Sequence, residues 1–259
     1  MKKPIRKIIE VILSVMILIT IILMGFKYVS DRSAESQYNS LRKEIFNSGE
    51  QKSSENGYSL KGTSSNKKPA LENTETMDGE GPDNLVPERL LTLMDQYQDM
   101  KGWITIDDTH IDYPVMSSDL DYEYYLHRDI DGNYSFPGSI FLDNLQELDK
   151  GYLHVLYGHH MKNHTMFRDV AEFQRKSYFN SHSTGRIYVQ DRVIHVRPLY
   201  CYHAYQDPAY RTVFDDASEA GAFLSGKTGQ KLPPGNYFVL VTCSYFMNNE
   251  RTYLILKET

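Results

Sequence analysis

Apolar positions follow three regimes along the chain. Residues 8–26 are almost wholly apolar, with Glu10 near the start and no charge from Val11 to Phe26. At 1.5 Å per residue a helix there reaches roughly 28 Å, enough to span a bilayer. Residues 27–84 are polar, although Tyr38, Leu41, Ile45 and Phe46 recur at roughly helical spacing and predict a short helix over 34–47. Residues 48–84 hold too few large apolar side chains to bury a core and read as a flexible tether. From Leu85 onward short apolar runs alternate with turn residues. Leu90, Leu91, Met94 and Tyr97 share one face and Pro87 stands near a helix start, which predicts a helix over 86–100. Strands are expected at 103–106, 111–116, 139–142, 152–157, 186–189 and 193–205, and in a final hairpin. Short helices are expected at 167–180 and 214–224. Many short strands with few helices point to a closed or sandwich-like β architecture.

Charge places the segments. Lys2, Lys3, Arg6 and Lys7 precede the apolar run, while Lys27, Asp31 and Arg32 follow it. The positive-inside rule then expects residues 1–7 in the cytoplasm, 8–26 as a transmembrane anchor, 27–84 as an extracellular stalk and 85–259 as the folded domain. No A-x-A-like site follows the run, so a retained anchor is preferred over a cleaved signal peptide. A net charge of −6 and a pI near 5.8 give no basic footprint, which argues against nucleic acid as a partner. Two cysteines, Cys201 and Cys243, exclude a disulfide framework and a Cys-rich zinc site.

The chemistry concentrates near the end of the chain. In NYFVLVTCSYFMNNERTYLIL (236–256) two runs rich in β-branched and aromatic residues flank Met247-Asn248-Asn249-Glu250, a hairpin signal. That hairpin sets Cys243 and Arg251 at facing strand ends, as direct or diagonal neighbours roughly 5 to 8 Å apart. A fixed cation favours a thiolate and can stabilise an oxyanion. The bland reading is a small apolar Cys closing a core strand, the role preferred for Cys201. Upstream, LHVLYGHHMKNHTMF (153–167) is a short strand ending at Gly158, followed by His159 and His160. Gly158 permits a sharp exit, so that a histidine can project over a strand end. Thiol, imidazole and cation are the parts needed for acyl transfer through a thioester.

Rival readings are weaker. His160 and His164 have i, i+4 spacing, but no carboxylate stands among them, so no metal is expected. His160 in place of His159 as the imidazole stays open. His110, His127, His154, His182, His195 and His203 look isolated, and Asp143 and Asp207 are acidic residues with the chemistry to orient the imidazole. No Gly-rich phosphate loop or calcium-loop spacing is present, so no cofactor is expected.

At these residues the chain resembles the sortases, most closely class B. The matching pieces are YGHHMKNHTMF around His159, VTCSY around Cys243, and Arg251 on the next strand. GWITIDDTHIDYPV (102–115) and PGSIFLD (137–143) resemble the family's opening strands, and the likeness runs from about residue 84 to the end. It implies a mainly β fold: a closed sortase-type barrel with an N-terminal helix and an extra helix before the Cys strand. It also implies a cysteine transpeptidase that cuts a C-terminal sorting signal of LPXTG or NPQTN type and joins it to an amine. That amine belongs to a peptidoglycan cross-bridge or a pilin Lys. The implied site comprises His159, Cys243 and Arg251, with Leu126, Tyr157, Tyr210 and Thr242 lining the signal groove. Some relatives carry an Asp two residues beyond the Cys, where this chain has Tyr245, which favours Cys-His-Arg over Cys-His-Asp. Arg211 stands where relatives carry an aliphatic residue, a departure that bears on signal preference. A secreted Cys protease that uses water shares the dyad, although papain-like enzymes place the Cys on a helix ahead of the His. A membrane-tethered binding module is the non-enzymatic alternative.

Overall fold

The computed structural model describes residues 3–46, 85–243 and 249–259. The tether read over 48–84, Tyr245, the first two residues of the predicted turn (Met247 and Asn248) and the side chains of Lys2, Lys3 and Arg6 lie outside the described residues. Eight strands form a closed barrel: β1 (Met100–Ile106), β2 (Asp112–Met116), β3 (Ile140–Leu142), β4 (Leu153–Tyr157), β5 (Gly185–Tyr188), β6 (Val193–Tyr205), β7 (Tyr237–Cys243) and β8 (Glu250–Glu258). Their order round the barrel is β1-β2-β3-β4-β7-β8-β6-β5. The β2–β3 and β4–β7 pairs are parallel and the others antiparallel.

The near-continuous apolar runs of β4, β7 and β8 have a physical cause: both of their faces are buried. Leu156, Phe238, Leu240, Leu254 and Leu256 point into the barrel core with Ile104 and Ile187. Leu153, Val155, Tyr237, Val239, Val241, Tyr253 and Ile255 face outward, into a second cluster covered by α4 (Ala217–Thr228) through Ala220 and Leu224. Strands covered on both sides lose the polar half of the usual alternation.

The helices depart in extent from the sequence reading. The stripe expected over 34–47 is the last part of one continuous helix, α1 (Lys3–Phe46), whose Ala34, Tyr38, Leu41 and Ile45 join the main hydrophobic cluster. Arg42 ion-pairs with Asp112 at 2.6 Å, and Tyr38 donates to the Gly138 carbonyl at 2.9 Å. Helix α2 (Glu88–Gln96) is shorter than predicted, because Tyr97 is already extended ahead of β1. In place of one helix over 167–180 there is a 3₁₀ segment, Phe167–Gln174, and a short α3 (Lys176–Ser181), separated by extended Arg175. Helix α4 begins later than expected, where the Asp216 side chain accepts from the Ser218 and Glu219 amides, and stops at Gly229 with φ of +67°.

Candidate active site

Parity along the strands decides which face carries the chemistry. Tyr157 pairs with Val241 across β4–β7, and Val241 with Tyr253 across β7–β8, all on the outward face. Side chains alternate along a strand, so Cys243 and Arg251, two positions along from Val241 and Tyr253, lie on that same face. They are direct cross-strand partners. The β4–β7 ladder runs on past Tyr157, where the Gly158 amide donates to the Val241 carbonyl at 3.1 Å and Thr242 Oγ1 to the Gly158 carbonyl at 2.8 Å. That continuation sets His159 opposite Cys243. Gly158 matters for space: a Cβ there would lie 2.4 Å from Ile140 Cδ1 and 2.8 Å from the Phe167 ring.

Above these ends opens a cavity of about 410 Å³ that His159, Cys243 and Arg251 all line. Leu126, Tyr157, Tyr210 and Thr242 line it too, from the 3₁₀ turn Tyr124–His127, from β4, from the 3₁₀ turn Pro208–Tyr210 and from β7. Phe141, Val241 and Tyr253 add apolar wall, while Glu123, Asp207 and Arg211 add charge. Tyr210 is itself deeply buried, its hydroxyl on that of Tyr202, so its share of the wall is an edge of a packed ring.

The two histidines have different tasks. His159 Nε2 lies 3.0 Å from the Leu126 carbonyl, which only accepts, so Nε2 carries the proton and Nδ1 is left for proton transfer. Burial holds the His159 imidazole below the ordinary histidine range; the neighbouring charge of His127 adds to this and the Leu126 carbonyl opposes it. His160 instead places Nδ1 3.1 Å from the Cys243 carbonyl and so braces the strand end. His160 is not among the residues lining the cavity.

Arg251 is held from two sides, Nη1 donating to the Glu250 carbonyl at 3.1 Å and Nη2 to Gln206 Oε1 at 3.3 Å. Both thiols are free. Cys201 packs at the edge of the core, and burial pushes its thiol up to about 12, the behaviour of an inert filler. Among the described residues no group of three or more His, Cys, Asp or Glu has the arrangement to hold a metal ion. Neither carboxylate considered from sequence is hydrogen-bonded to His159. Asp143 takes Arg211 Nε at 2.8 Å, and Asp207 takes Lys227 at 2.5 Å while capping Ala209.

Sequence reasoning missed the surroundings of the imidazole. His127, read as isolated, stacks on His159 with ring centroids 5.0 Å apart, and Phe136 lies at 6.4 Å with an interplanar angle of 8°. A loop histidine and a loop phenylalanine carry no periodic signal, so nothing in the sequence flagged either. Gln206, just past the end of β6, was equally silent.

No protein-family model matches the chain. Sortase B of Listeria monocytogenes is 41% identical over 102 residues, which make up 38% of this chain and 40% of that protein. Sortase B of Staphylococcus aureus is 31% identical over 133 residues, 49% of this chain and 52% of that protein. The chain thus aligns with about half, or less, of each of these curated relatives. The crystal structure of Clostridium perfringens sortase B superposes with a TM-score of 0.58 at 26% identity, covering 65% of this chain and 98% of that one.

Proposed function

We propose that this chain is a class B sortase, a cysteine transpeptidase that acts on a C-terminal sorting signal of a surface protein. The observation that carries the reading is the convergence of Cys243, His159 and Arg251 at the ends of three neighbouring strands, on one face and around one cavity. The chemistry follows from the groups present. The Cys243 sulfur attacks the carbonyl carbon of the signal's Thr, and Arg251 donates to the oxygen that gains charge. His159, protonated at Nδ1, gives that proton to the leaving amine as the C–N bond breaks, which leaves a thioester. The neutral imidazole then takes a proton from the incoming amine, whose attack on the thioester expels the Cys243 sulfur as a thiolate and so restores the thiolate and imidazolium that began the cycle. The Nε2 bond to the Leu126 carbonyl suits both protonation states, so the ring need not turn between steps.

The groove supports an extended peptide: Leu126, Tyr157 and Tyr210 offer apolar wall, and the Thr242 hydroxyl is engaged with the Gly158 carbonyl. The amine is a peptidoglycan cross-bridge or a pilin Lys. Among the described residues one helix is long and apolar enough to cross a membrane, and we assign it as a single-pass anchor with a cytoplasmic N-terminus and an extracellular barrel. The test incubates the full chain in micelles with sorting-signal peptides of LPXTG and NPQTN type, with and without a short amine. Intact-mass spectrometry should show an acyl adduct that disappears in Cys243→Ala, persists in Cys201→Ala, and resolves to a peptide–amine conjugate. Hydrolysis alone, whatever amine is supplied, would identify a protease, and peptide left whole across the panel would sink the transpeptidase reading.

A further inference from the structure

Phe136 links the juxtamembrane turn of α1 to the His159 imidazole. It lies in the loop that leads from the Tyr124–His127 turn to β3, and its amide, carbonyl and ring all have partners. The amide donates to Ser30 Oγ at 3.1 Å. The ring takes the Lys27 ammonium 4.0 Å from its centroid and lies nearly parallel to His159, at 8°. The carbonyl accepts from His127 Nδ1 at 3.2 Å, and His127 is itself stacked on His159. Two of these partners, Lys27 and Ser30, are on α1, directly after the apolar segment.

The same loop is anchored once more from α1. Tyr38 on α1 donates to the Gly138 carbonyl, and Gly138 sits at φ of +61°, where a Cβ would fall 2.2 Å from the Leu126 carbonyl oxygen. That oxygen is the acceptor for His159 Nε2. A single hydrogen bond fixes one point of the imidazole and leaves rotation about that point open. Rotation of this kind swings Nδ1, the nitrogen that must meet the leaving amine. A ring lying parallel to the imidazole supplies the missing restraint.

We propose that Lys27, Ser30 and Phe136 are positioning residues, through which α1 sets the plane of the His159 imidazole. The inference rests on His159 as the proton-transfer group of the proposed reaction. The charged and titratable groups around His159 are His127 and Glu123 from the Tyr124–His127 turn and its preceding residue, Tyr157 from β4, Asp207 and Arg211 flanking the Pro208–Tyr210 turn, Cys243 from β7, Arg251 and Tyr253 from β8, and Lys27 beyond Phe136.

The experiment uses the full chain in micelles with 13Cε1-labelled histidine, the His159 resonance being assigned by its loss in His159→Gln. The variants are Phe136→Leu, Lys27→Ala and Ser30→Ala, with Phe136→Tyr and Lys27→Arg as conservative counterparts, each checked by thermal melting. Phe136→Leu should lower kcat about 10-fold with KM for the peptide little changed, as misorientation of a reacting group does. It should also raise the His159 titration midpoint, because the ring gains water. Lys27→Ala and Ser30→Ala should follow in the same direction by about 3-fold, and the conservative counterparts should return towards wild type. Turnover by wild type, with kcat and midpoint unchanged in Phe136→Leu and Lys27→Ala, overturns this inference and leaves the transpeptidase reading standing. Failure of wild type to form a thioester overturns that reading and with it the catalytic consequence assigned to Phe136. The midpoint read by NMR then reports on the α1–His159 coupling by itself.

Discussion

Arg251 shows how far a single side chain is specified by its neighbours. Its guanidinium bonds to the Glu250 carbonyl and to Gln206 while lining the cavity beside Cys243. A planar fork makes these bonds and still presents a donor, which an ammonium group on a flexible stem does not. Arg251→Lys should therefore leave the thermal melt close to wild type yet lower the rate of thioester formation by about 100-fold. A rate near wild type would show that some other group meets the oxyanion. The Cys, His and Arg types were visible in the sequence because each is costly to place at a strand end without use. Their companions were not, since a stacked His127 or Phe136 becomes informative only when folding brings it to His159. The same holds for Asp143: its partner Arg211 is 68 positions away, and nothing local announces the pair.

At the scale of elements, the strands were read from apolar runs and the helices mainly from the spacing of apolar residues, with unequal success. Strand β6 spans the residues expected, because its 13 residues carry their own signal. The two 3₁₀ turns that build the cavity wall, Tyr124–His127 and Pro208–Tyr210, are too short to show a period. Strand β4 also carries a buried titratable group, His154. Its Nδ1 lies 2.8 Å from the Glu147 carbonyl and its Nε2 2.8 Å from Asn236 Oδ1, with the ring stacked on Phe238. Burial pushes this imidazole down from the ordinary 6.5 to about 4, although both acceptors oppose the shift. Between those values the unfolded chain binds the proton more readily than the folded one. Stability that is fully present above pH 6.5 is thus lost as the pH falls towards 4, by on the order of 3 kcal/mol. Urea unfolding from pH 7 to pH 4 should show a steeper loss in wild type than in His154→Gln, which does not titrate. Identical slopes would mean that the folded protein accommodates the imidazolium.

For the whole molecule, the main surprise is how much of the main hydrophobic cluster comes from α1. Tyr38, Leu41 and Ile45 are buried to 1%, 8% and 3% exposure. Polar composition between them hid this, because the stripe is narrow and its partner surface is assembled from distant strands. Burial of each such side chain contributes roughly 1.5–3 kcal/mol, and in a domain of this size 1 kcal/mol moves Tm by about 2–4 °C. A fragment that begins at residue 85 should therefore melt roughly 10 °C below one that begins at residue 27. Equal melting temperatures, read by circular dichroism, would show that α1 rests on the barrel without stabilising it. The parallel pairing of β4 with β7 has a different consequence, one of tolerance to change in chain length. The imidazole and the thiol occupy successive strands on the same rung, although Thr242 and Gly158 beside them are 84 positions apart. The hairpin joining β5 to β6 lies at the opposite end of the barrel, so residues added there lengthen the chain without displacing the rung. One residue added within β4 or β7 would turn His159 or Cys243 to the barrel interior. Insertions are thus tolerated at the β5–β6 hairpin and ruinous in two strands of five and seven residues.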